Sequence, residues 1–181
     1  MAITRLPATA LSGTSLPSTI TSASGLSLGK IGQVVTTTLA GTQSSTSTAT
    51  TDSFSDSNLT ATLTPTSTSS KIFVSCQVNT GAANFADGSH IGRFTQAISG
   101  GSTTVVNVGD TAGNRIETSS GRGSESQGSN TLLNTHFSFV LSPSTTSAVT
   151  ITYQFACRGT GSSTAYINRS GDDGDNIEQQ R

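Results

Sequence analysis

Two stretches restrict this chain more than anything else in it: residues 71–79 (KIFVSCQVN) and 148–158 (AVTITYQFACR). Apolar and polar side chains alternate in both. Ile72, Val74, Cys76 and Val78 share one face of the first, and Val149, Ile151, Tyr153, Phe155 and Cys157 share one face of the second. A period of two marks a half-buried strand, and β-branched and aromatic residues fit its pleated surface. Helix formers are scarce, while Ser and Thr make up about a third of the 181 residues and Gly another 19. Period and composition therefore agree on strands and turns.

The remaining strands are read with the same rule. Residues 31–39 (IGQVVTTTL) are β-branched and read as a first strand. Residues 44–56 read as a Ser/Thr loop followed by a short edge strand anchored by Phe54, and Leu59–Leu63 alternates until Pro65, which cannot donate to a ladder. His90–Ser99 sets His90, Gly92, Phe94, Gln96 and Ile98 against Ile91, Arg93, Thr95 and Ala97. Gly100-Gly101 reads as a hairpin turn into Thr103–Val108. Thr131–Leu141, the 148–158 run and a short strand at Thr164–Asn168 complete about eight strands, spaced as in an antiparallel β-sandwich of jelly-roll or immunoglobulin-like type. With hydrophobic residues at 31%, one buried face per sheet is all the chain can fill.

Charge narrows the function. Only 10% of residues are charged, with a net charge of −1, so no basic field exists to bind nucleic acid. No apolar stretch approaches the roughly 20 residues of a membrane span, and residues 1–20 lack the apolar block of a secretory signal.

Three regions follow: an extended N-terminal arm at 1–29, a sandwich domain at 30–170 and a polar tail at 171–181. Leu6, Leu11, Leu16 and Ile20 recur in the arm at spacings of about five, which suits an anchoring segment laid along another subunit or a partner surface, a flexible tail being the alternative. The longest loop, 110–130, is polar and Gly-rich, and its Arg115, Arg122 and Glu125 are the candidate binding residues for a polar glycan.

Chemistry-bearing motifs are weak. Gly25-Leu26-Ser27-Leu28-Gly29 matches the hydrolase elbow G-x-S-x-G, but that elbow needs a preceding strand and a following helix. His90 and His136 lack metal-ligand spacing, and Asp172-Asp173-Gly174-Asp175 lacks the later Glu of a calcium loop, so no metal or cofactor is expected. Cys76 and Cys157 fall on apolar faces and read as reduced, buried thiols, with a cross-strand disulfide as the alternative. No catalytic set is found; a depolymerase or esterase would need partners for Asp52, Asp56, Asp87 or Asp110.

One resemblance is specific. The segments GKIGQVVTTT, LTATLTPTSTSSKIFVSCQVNTG, VGDTAGNR, FVLSPSTTSAVTITYQ and YINRSGDDGD, in this order, resemble a module of tailed bacteriophages, especially those of marine bacteria and cyanobacteria, whose members are tail-fibre and virion structural proteins. It spans about residues 29–176, most tellingly at Thr64-Pro65, Ser69–Ile72, Ser142-Pro143 and Tyr166–Ser170. The resemblance implies a non-enzymatic virion protein and a homotrimer. It would be a tail fibre or spike bound to other virion proteins through residues 1–29 and to a host surface glycan, or else a capsid decoration protein. It also implies one more apolar strand after the Asn168-Arg169-Ser170 segment, whereas this sequence ends at Arg181. A bacterial adhesin is the remaining alternative.

Overall fold

The computed structural model describes residues 31–47, 54–83, 88–110, 112–113, 116–121, 131–159 and 163–172. The chain divides into two units, Met1–Val34 and Val35–Arg181. Of the first, only residues 31–34 are described, and they are exposed. Among the described residues there is no helix.

Nine strands form the second unit: β1 (Gln43–Ser47), β2 (Ser55–Leu63), β3 (Ile72–Ala83), β4 (Gly88–Ile98), β5 (Thr103–Val106), β6 (Ser120–Gly121), β7 (Leu133–Leu141), β8 (Val149–Gly159) and β9 (Ser163–Ile167). They make two sheets, β1-β9-β3-β7 and β2-β8-β4-β5, with β6 added beside β4. Every pairing is antiparallel. The arrangement is all-β and sandwich-like, with the inner faces of both sheets meeting in one core.

That core is built on aromatic contacts, both across the two sheets and between neighbouring strands of one. Phe94 of β4 meets Phe137 of β7 edge-on at 5.1 Å and Tyr153 of β8 at 5.2 Å. Val149, Ile151, Tyr153, Phe155 and Cys157, the alternating set of β8, are all buried, and Ile72 and Val78 of β3 oppose them. Edge-to-face aromatic pairs add to the area they bury, which matters where apolar residues are few. The β4–β5 hairpin turns as its glycines predict: Gly100 has φ +75°, and Gly101 N–H donates to the Ile98 carbonyl at 2.8 Å.

Three expectations are corrected. Residues 31–39 are not a strand; they run without turn or bend and join no ladder, the cleft described below separating residues 35–39 from β3. Residues 44–56, expected as mostly loop, contain β1, which has no apolar residue and is held by pairing with β9 and by Ser45 Oγ against Ser55 Oγ at 2.9 Å. Ser45 is buried, so small hydroxyls close the sandwich where a larger side chain would wedge it open. Within 110–130, β6 pairs with Ile91 and Gly92 of β4. Ile91 itself is buried.

Candidate functional site

The residues singled out for binding, Arg115, Arg122 and Glu125, and those of the anchoring arm, Leu6, Leu11, Leu16 and Ile20, all lie outside the described residues, as does the Gly25–Gly29 motif. The described end of the long loop is stitched to the second sheet: Ser119 N–H donates to the Gly92 carbonyl at 2.8 Å.

Three other arrangements of polar and apolar side chains stand out among the described residues. The first is a polar node inside the core. His90 Nε2 lies 3.1 Å from the Tyr153 hydroxyl, and the His90 ring stacks on Phe155 at 5.8 Å. Tyr153 reaches this position because Gly92 has no side chain; a Cβ there would collide with the phenol ring and its hydroxyl. Burial pushes the Tyr153 phenol well above its ordinary range, and a hydrogen bond with the Ser120 side chain offsets part of that rise. Both rings are buried between the sheets, so the node locks the packing of β4 on β8.

A second arrangement is a row across the outer face of the second sheet. Gln154 Nε2 donates to Asp56 Oδ1 at 2.6 Å, Arg93 Nε donates to Gln154 Oε1 at 2.8 Å, and the Arg93 guanidinium lies 3.8 Å over the Phe54 ring. Beside it, hydroxyls pair across strands: Thr60 with Thr152 at 2.9 Å and Thr62 with Thr150 at 2.8 Å. Opposed Thr pairs of this kind stabilise sheets, and they set a patch of hydroxyls beside the Asp56–Gln154–Arg93 row.

The third is a cleft of about 540 Å³ opening into the core. Residues 35–39 bound one side and β3 the other; Leu59, Leu63, Ile151, Tyr153 and Phe94 form its floor, and Ile167 and Asn168 close one end. No residue that lines it carries a charge. Asn168 ends β9 in the left-handed region, φ 58°, which Asn tolerates better than most residues. Its Nδ2 donates to the carbonyls of Leu39 at 2.8 Å and Gly41 at 3.1 Å, fixing the wall in place.

Other sequence candidates are placed as follows. Cys76 is half-buried in the cleft and Cys157 is buried; neither is in a disulfide. His136 stands exposed on the outer face, 3.2 Å from Ser75 Oγ, and among the described residues no three His, Cys, Asp or Glu side chains gather as a metal site. Sequence reasoning missed the cleft, and the signal that leads to it is an unpaired β-branched run followed by an Asn able to turn left-handed. No family model, no curated protein and no solved structure matches this chain.

Proposed function

We propose that this chain is a non-enzymatic structural protein of a bacteriophage virion, a tail fibre or spike subunit. In this reading it is trimeric, attached through residues 1–29, and turned so that the 110–130 loop meets a host surface glycan. The observation that carries the reading is the strand order. In β1-β9-β3-β7 facing β2-β8-β4-β5 the first strand pairs with the last, the order of a jelly roll, an architecture that recurs in viral capsid and lectin domains.

Fold by itself does not set function. Surface chemistry supports the same reading: the outer hydroxyl pairs and the low charge suit many weak polar contacts, and such contacts gain strength when several copies act together. The same strand order favours a second reading, a capsid decoration protein, because jelly rolls also build viral shells.

Labelling purified virions with antibodies to this chain, viewed by electron microscopy, separates the two. Label on the tail or its fibres supports the first reading, and label spread over the head supports the second. Absence of the chain from purified particles by mass spectrometry overturns both.

A further inference from the structure

The two sheets turn different faces outward. On the second, Asp56, Gln154 and Arg93 form a charged row beside the Thr pairs. On the first, the side chains that alternate away from the core include Phe73, Ser75 and Gln77 of β3 and His136, Ser138 and Val140 of β7, all of them exposed. None of these is Lys, Arg, Asp or Glu, and they lie on a ladder of nine residue pairs without a bulge. Phe73 and Val140 are direct partners in that ladder and stand 68% and 60% exposed, the most of the large apolar residues described in the second unit.

An antiparallel sheet with one face in water ordinarily sets polar and charged groups on that face. Here the centre is uncharged and carries a Phe, while charge stays at the border: Lys71 Nζ donates to Ser142 Oγ at 2.6 Å, and the Arg169 guanidinium lies 4.2 Å over the Tyr166 ring of β9. Depletion of charge at the centre, an aromatic anchor there and a polar rim are the composition of a protein contact surface. In a chain with 31% hydrophobic residues, a Phe–Val pair left in water is apolar area that folding does not use and a contact recovers.

We infer that copies of this chain meet through the outer face of β3 and β7, with Phe73 and Val140 turned toward the symmetry axis. Charge selects the occupant. At a symmetry axis each side chain meets its own copies, so an ion placed there faces a like ion, and a face without ions is one that symmetry can repeat without repulsion. A foreign partner of ordinary composition, about 25% charged, would have to strip its ions of water against groups that do not neutralise them. Area sets the strength. Nine ladder pairs run roughly 30 Å, and the two strands offer on the order of 500 Å² per copy, less than the roughly 800 Å² of a tight complex, so association is reversible and concentration-dependent. The inference rests on the trimeric reading above and adds where the contact is made.

The two histidines report on it: His136 stands on the face, and His90, buried in the core, is the internal control. The test is sedimentation velocity of the full chain from low-micromolar to near-millimolar concentration, with the rate of His136 carbethoxylation by diethyl pyrocarbonate followed by peptide mapping over the same range. Assembly should slow that reaction on the order of tenfold. A Phe73→Thr/Val140→Thr variant keeps β-branched side chains at exposed strand positions and should melt like the dilute wild type, while associating only at concentrations higher by about tenfold or more. If the double variant melts differently, the milder Val140→Thr alone replaces it. Thr62→Lys, on the outer face of the second sheet, should associate as the wild type does. An assembly that leaves His136 reactive, that forms equally well in the double variant, or that Thr62→Lys abolishes uses another surface; it overturns the inference and leaves the trimeric reading standing. A chain that stays monomeric throughout overturns both.

Discussion

Asn168 binds the carbonyl of Leu39 through its side chain at 2.8 Å, although 129 positions separate the two residues. That bond, with its companion to Gly41, ties the entry of the domain to the end of its last strand. Asn168→Ala should destabilise the fold by about 1–2 kcal/mol, combining left-handed strain with two lost hydrogen bonds. Asn168→Gly removes the bonds without the strain and should lie between wild type and Ala in urea unfolding. Equal stability of all three proteins contradicts the role given to Asn168.

Gly92 and Tyr153 are coupled by shape. Gly92→Ala should lower stability by about 2–4 kcal/mol, since the new methyl meets a ring that is itself buried. Tyr153→Phe removes the hydroxyl that a Cβ would strike first. The double variant should therefore be more stable than the sum of the two single changes predicts, a coupling that a thermodynamic cycle reads directly.

Two hydroxyl deletions should differ sharply. Ser57 is buried in the β2 bulge, where its Oγ donates to the Tyr153 carbonyl at 2.5 Å and accepts from Leu59 N–H at 3.2 Å. Ser57→Ala leaves a buried carbonyl without its donor and should cost about 1–3 kcal/mol. Thr62→Ala removes an exposed pair and should change stability by about 0.5 kcal/mol or less. Chemical denaturation of the two variants side by side checks the contrast.

Alkali should weaken the fold through its acidic core groups. Burial pushes the Cys76 thiol from 9.0 up to about 11. The folded state then holds this proton more tightly than the unfolded chain. The contribution is complete below pH 9 and is lost as the pH rises through about 11. Tyr153 shifts in the same direction for the same reason. Unfolding curves should show stability falling across that window, and less steeply in Cys76→Val. Alkylation of Cys76 should be slow at pH 8.5, where an ordinary exposed thiol is about half ionised.

Much of the fold was legible because period and burial coincide. Every in-facing residue of β8 was identified from alternation alone, as were the β3 face and the turn at Gly100. β1 escaped notice because Gln43–Ser47 has no apolar residue to alternate; its place is set by pairing with β9, a partner more than a hundred residues away. Residues 31–39 misled for the opposite reason, since propensity describes what a segment will pair as and not whether a neighbour is there. The cleft was illegible because it depends on β9 being shorter than β3, a relation between two strands that neither one reveals.

The paired hydroxyls on the outer face of the second sheet have a further consequence. Contacts made through Thr60, Thr62, Thr150 and Thr152 involve no ionic groups, so screening by dissolved salt has little to act on. These hydroxyl pairs should therefore hold equally well in dilute and saline media, where pairs of Lys and Glu on the same face would weaken as ionic strength climbs.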